Sequence, residues 1–172
     1  MALSEILDYV KARAANHVVL TGGEPMVAKG VSELAQALKD QNQHVTIETA
    51  ATVSPDGIVC DLASLSPKLS NSTPGSGEIE SGWIEQHEAR RLRLDVIDAW
   101  MAQYNYQLKF VVASQTDLKE IDDLLGILKI TPVPHTRSPS RGIELCGVVE
   151  AICKSQDYKV ARFHSCKRLG RR

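Results

Sequence analysis

The apolar run at residues 18–20 stops abruptly at Thr21-Gly22-Gly23-Glu24-Pro25, a turn at the carboxyl end of a strand. Two adjacent residues without Cβ can take positive φ and let a second body approach the backbone closely. Pro25 fixes the exit of the turn and suits the first position of a helix. The turn therefore puts backbone carbonyls and the Glu24 carboxylate at the carboxyl end of a strand, where they suit an ammonium group. A tight strand-to-helix connection uses the same residues without any ligand. The stretch has neither the Lys-Ser/Thr of a P-loop nor the third glycine of a dinucleotide fingerprint, which argues against a phosphate site.

The remaining periodicity supplies the helices and strands that such a turn needs. Residues 4–15 set Ile6, Leu7 and Val10 on one helical face, with Ser4 a candidate N-cap. A short strand follows at 17–20, then a helix at 29–41 whose stripe is Val31, Leu34, Ala35 and Leu38. Residues 45–49 alternate as a strand, and 58–65 read as another. A polar loop rich in Ser, Gly and Pro occupies 66–82. Val96, Ile97, Trp100, Met101 and Tyr104 mark a long helix, and Leu108, Phe110 and Val112 alternate in the strand after it. Ser114 or Thr116 caps a last helix with the stripe Leu118, Ile121, Leu124, Leu125 and Leu128. Strands separated by helical crossovers predict an α/β chain with a parallel sheet, whose ligand sites lie at the carboxyl ends of the strands.

Polar residues gather at those ends. Thr21 to Glu24 close the first strand, Glu48 and Thr49 the second, and Asp61, Ser64, Ser66 and Lys68 flank the third. Gln107 and Lys109 alternate with Leu108 and Phe110, so they face the other side. Capping explains any one such end; a shared cavity better explains four in consecutive strands. With 172 residues the chain is read as one domain. A net charge of -1 gives no general field for nucleic acid. No apolar run is long enough to span a membrane, and the expected location is cytoplasmic. The basic residues Lys167, Arg168, Arg171 and Arg172 read as a solvated terminus.

Cys60, Cys146, Cys153 and Cys166 contain no C-x-x-C pair, which excludes zinc-ribbon and thioredoxin readings. Cys146 and Cys153 have the outer spacing of a C-x-x-x-C-x-x-C cluster motif, but its middle position is Glu150. With Val149 and Ile152 in the apolar pattern, these two are expected as buried thiols on a helix. His17, His44, His87 and His135 are scattered without metal spacing. Trp83 and Trp100 read as a loop and a core aromatic. Glu88, Arg90, Arg91 and Arg93 read as a charged, solvated helix start.

Four stretches in order carry a family resemblance: Val-Val-Leu-Thr-Gly-Gly-Glu-Pro-Met at 18–26, Val-Thr-Ile-Glu-Thr-Ala at 45–50, Cys-Asp-Leu-Ala-Ser-Leu-Ser-Pro-Lys-Leu-Ser-Asn-Ser-Thr-Pro at 60–74, and Tyr-Gln-Leu-Lys-Phe-Val-Val at 106–112. Together they resemble 7-carboxy-7-deazaguanine synthase, a radical S-adenosylmethionine family. The Ser-Pro-Lys-Leu-Ser-Asn segment is far more specific than the glycine turn. The resemblance implies an incomplete TIM-like barrel, usually dimeric, and a carbon–nitrogen lyase of queuosine biosynthesis. Such enzymes convert 6-carboxy-5,6,7,8-tetrahydropterin into 7-carboxy-7-deazaguanine with release of ammonia. S-adenosylmethionine, a 4Fe-4S cluster and magnesium are the implied cofactors. By the same resemblance Gly23 and Glu24 hold the methionine end of the cofactor, and Ser66, Pro67 and Lys68 line the rest. Thr21 binds the pterin, with Glu48 as a second substrate partner.

The chain also departs from the family pattern. Family members carry three cluster cysteines, a magnesium-binding Thr and a first strand upstream of the glycine turn, and no cysteine precedes Cys60 here. Residues 131–141 and 165–172 are atypical, although Arg162-Phe163-His164 resembles the last family strand. The expectation is therefore a partial barrel lacking its first strand, with an unpaired edge and poor solubility. On that expectation the chain is truncated and inactive by itself, or survives as an S-adenosylmethionine-binding remnant.

Overall fold

A computed structural model describes residues 2–73, 81–130, 147–153 and 164–165. In chain order these form α1 (Leu3–Ala12), β1 (His17–Leu20), α2 (Val31–Asp40), β2 (His44–Thr49), β3 (Leu62–Leu65), α3 (Ser81–Arg91), α4 (Leu94–Gln103), β4 (Tyr106–Val112), α5 (Gln115–Ile127), β5 (Gly147–Cys153) and β6 (His164–Ser165). They build one sheet in the order β1-β2-β3-β4-β5-β6. The first four strands are parallel, while β5 and β6 are antiparallel to their neighbours. The expected α/β class and parallel sheet are therefore present. Among the described residues no helix is long and apolar enough to cross a membrane.

Register divides the sheet into two unlike faces, because residues paired between neighbouring strands point to the same side. Val45, Ile47, Ala63, Leu65, Leu108 and Phe110 lie on the face that forms the core. Ala35 and Leu38 of α2, Val96, Ile97 and Trp100 of α4, and Ile121, Leu124 and Leu125 of α5 pack there. Fully burying each large side chain of this set contributes about 1.5–3 kcal/mol. Trp100 also donates its Nε1–H to the Val53 carbonyl at 2.9 Å, so its one polar atom is satisfied in the core. The opposite face carries Thr46, Glu48, Ser64, Gln107 and Lys109, with Val19 and Val111 each 52% exposed.

Several expectations from sequence need correction. Residues 58–61 are not strand: Gly57 turns the chain at φ +73°, and Ile58 is buried as a loop anchor whose carbonyl accepts from Tyr104 Oη at 2.6 Å. The helix begins at Leu3, with Ala2 rather than Ser4 at the N-cap, where the Ala2 amide donates to Glu5 at 2.7 Å. Pro25 opens a short 3₁₀ turn, Pro25–Val27, and α2 starts later, after Gly30 at φ +83°. Trp83 sits on α3, stacked on His87 at 5.2 Å. The helix expected around Cys153 is strand β5, whose Val149 pairs with Phe110. Two valines at 148–149 suit a strand, and β4 offered an open edge to pair with. The readings at Cys146, at 131–141 and at 166–172 lie outside the described residues.

Candidate functional site

Parallel pairing brings the carboxyl ends of β1, β2 and β3 side by side, with Leu20 opposite Ile47 and Thr49 opposite Leu65. Each predicted site residue then falls on one edge of the sheet: Thr21, Gly23 and Glu24 after β1, Glu48 within the end of β2, and Ser66, Pro67 and Lys68 after β3. Gly22 takes φ +154°, a conformation that suits glycine, whereas Gly23 does not have positive φ. A Cβ built on Gly23 would meet nothing within 4 Å, so the approach to its backbone is open. Neither glycine makes a backbone hydrogen bond to another described residue.

Glu24 is engaged within the protein itself. Its carboxylate accepts from Thr49 Oγ1 at 2.8 Å, from the Ala50 amide at 3.1 Å and from Thr52 Oγ1 at 3.4 Å. It also accepts from the Met26 amide at 3.2 Å, capping the 3₁₀ turn. Glu24 thus braces the glycine turn against β2, and a ligand amine would have to share this carboxylate. On the other side of β2 the Ser66 amide donates to the Thr49 carbonyl at 2.8 Å. Thr49 therefore joins the two loops directly.

The loop after β3 alternates inward and outward. Pro67 and Leu69 are buried, while Lys68 between them is exposed. Its ammonium has no partner among the described residues. The loop is held from outside by polar side chains: Glu120 accepts from the Ser70 amide at 3.0 Å and from Ser70 Oγ at 2.6 Å. Asn71 Nδ2 donates to Asp117 at 2.8 Å and to the Val111 carbonyl at 2.9 Å. Arg91 Nη1 donates to the Lys68 carbonyl at 2.9 Å and to Glu120 at 3.1 Å.

Arg91 is a correction as well, because its side chain is only 13% exposed and does not belong to a solvated face. Burial works against its charge, but hydrogen bonds and attraction from Glu88 and Glu120 outweigh that and raise its pKa. Nothing local in the sequence marks Arg91 or Glu120 as loop partners, since 29 residues separate them.

Beneath the strand ends, the polar sheet face is internally paired. Lys109 Nζ meets Glu48 at 2.5 Å, with side chains 16% and 39% exposed. Gln107 Nε2 donates to Ser64 Oγ at 2.9 Å, and Ser64 is 2% exposed. Glu48 and Ser64 are register partners, as are Ser64 and Gln107, so these groups form one polar patch below Thr21. Cys60 lies at the opposite end of β3. Burial first and the Asp61 charge second push its thiol up to about 12, so it stays protonated at neutral pH. Among the described residues no group of three Cys, His, Asp or Glu side chains is placed to hold a metal ion.

No family model matches the chain. Curated proteins named 7-carboxy-7-deazaguanine synthase do. The one from Rhodopirellula baltica is 43% identical over 129 residues, covering 74% of this chain and 49% of that protein. That of Halobacterium salinarum is 39% identical over 137 residues, covering 75% and 51%. The one from Clostridium acetobutylicum is 32% identical over 126 residues, covering 73% and 52%. The chain thus spans about half the length of the curated relatives it matches. At 32–43% identity over about three quarters of its length, this chain is a relative of the 7-carboxy-7-deazaguanine synthases.

Proposed function

We propose that this chain forms the S-adenosylmethionine- and pterin-binding part of a 7-carboxy-7-deazaguanine synthase, within a partial barrel of the radical S-adenosylmethionine type. The observation that carries this reading is that the glycine turn after β1 and the Ser66-Pro67-Lys68 loop after β3 flank the end of β2 and are both tied to its Thr49. Sequential strand order β1 to β4, with the core on one face and a polar patch on the other, agrees with a segment of barrel wall.

In this reading Gly23 offers its backbone to the methionine end of the cofactor, and Ser66, Pro67 and Lys68 border the adenosyl end. Thr21 and Glu48 receive 6-carboxy-5,6,7,8-tetrahydropterin over the polar patch, and Lys109 holds the Glu48 carboxylate in place. S-adenosylmethionine would supply, when bound, hydrogen-abstraction chemistry that no side chain can perform. The protein's own contribution is orientation and exclusion of water.

A second reading follows from the described residues, among which no three Cys, His, Asp or Glu side chains are grouped for a metal: the chain binds S-adenosylmethionine without carrying out the radical step. Calorimetry of the full chain with S-adenosylmethionine, with Gly23→Val alongside, tests both. Binding that is lost in Gly23→Val while the melting temperature is kept supports the site, since a Cβ at Gly23 meets nothing within 4 Å. Formation of 7-carboxy-7-deazaguanine from the pterin after anaerobic reconstitution with iron and sulfide selects the first reading; binding without product selects the second. Absence of binding overturns both.

A further inference from the structure

We propose that Arg91 is a positioning residue which couples the docking of α3 to ligand binding at the Ser66–Lys68 loop; this rests on the cofactor site proposed above. Two features of α3 lead to it. None of its described side chains is buried, so little apolar packing holds this helix. It is instead attached through polar links to the loop: Arg91 Nη1 to the Lys68 carbonyl at 2.9 Å, and Glu88 to Thr73 Oγ1. Arg91 Nε also donates to Glu88 at 2.7 Å, and its Nη1 to Glu120 of α5 at 3.1 Å. Glu120 in turn accepts from the Ser70 amide and hydroxyl.

One guanidinium therefore closes a ring of contacts through α3, the loop and α5. Its fixed planar fork reaches three acceptors from two separate nitrogens, a spread that the three donors on the single nitrogen of lysine do not have. Because the carbonyl it grips belongs to Lys68, any shift of α3 is felt by the backbone of a residue that the ligand contacts. Linkage makes the effect reciprocal: if a docked α3 favours ligand binding, ligand must favour a docked α3.

The test uses the full chain and S-adenosylmethionine, read by calorimetry and by amide hydrogen exchange. Ligand should slow exchange in residues 82–91 as well as in 66–73. Arg91→Gln should weaken binding about tenfold, a usual size for coupled sites, and abolish ligand protection of α3. Arg91→Lys should recover part of the affinity. Lys119→Gln, which removes only an exposed pair with Asp123, should behave as the wild type. A purely structural role for Arg91 would lower the melting temperature yet leave ligand protection of α3 in place, and that outcome overturns the proposal. So does an Arg91→Gln affinity within about twofold of the wild type. If the wild-type chain binds no S-adenosylmethionine, the underlying cofactor site falls, and the coupling falls with it.

Discussion

Glu24 shows how one carboxylate can organise a turn whose glycines contribute no side chain. It gathers two threonine hydroxyls and two amides, from partners up to 28 residues away. Glu24→Gln keeps the shape but replaces half of the acceptor with a donor, so either the Met26 or the Ala50 amide loses its acceptor. The expected loss is about 1–2 kcal/mol in urea denaturation. Cys60 gives a second expectation at this scale. With its thiol pushed up to about 12 it should be alkylated slowly by iodoacetamide at pH 8 in the folded chain and rapidly in urea, as peptide mapping would reveal. The sequence placed Glu24 at the turn correctly by local spacing. Its long-range partners, and those of Arg91, depend on which strands become neighbours, and a linear pattern does not contain that information.

At the scale of elements, α5 depends on the buried carboxylate of Asp117, which is 4% exposed. Burial raises its pKa, but donors from the Ala113 amide, Asn71 and the Ser114 amide outweigh that and hold it below the ordinary carboxylate value. The folded pKa is the lower one, so this stability is present above the unfolded value of about 3.9 and disappears as pH falls through the folded pKa. The stability gap between wild type and Asp117→Asn should accordingly be widest near pH 6 and shrink below about pH 4, measured as urea midpoints. Alternating apolar residues made β2 and β4 legible, and of the two caps considered, Ser114 and Thr116, it is Ser114 that starts α5. Where the pattern was ambiguous, tertiary pairing decided: residues 147–153 fit helix or strand by periodicity, and β4 drew them into the sheet. Ile58 shows the converse, an apolar residue buried by a loop rather than by a strand.

For the molecule as a whole, cohesion is uneven. β2, β3 and β4 lie inside the sheet and carry most of the core, whereas β1 is an edge strand with an exposed Val19, and α1 buries no residue. Hydrogen exchange should therefore be slowest in β2 and β4 and fastest in α1 and on the outer side of β1. Uniform protection across all of these would contradict the arrangement. The parallel α/β class was readable from the succession of strands and helices; the two antiparallel strands were not, because nothing in their composition announces direction. Thr49, at the end of the interior strand β2, is only 2% exposed and gives its carbonyl to one loop and its hydroxyl to the other. The two loops thus hang from a common hinge pin. A lesion there, such as Thr49→Val, would slacken both together, and a probe on either would report the loosening of its neighbour.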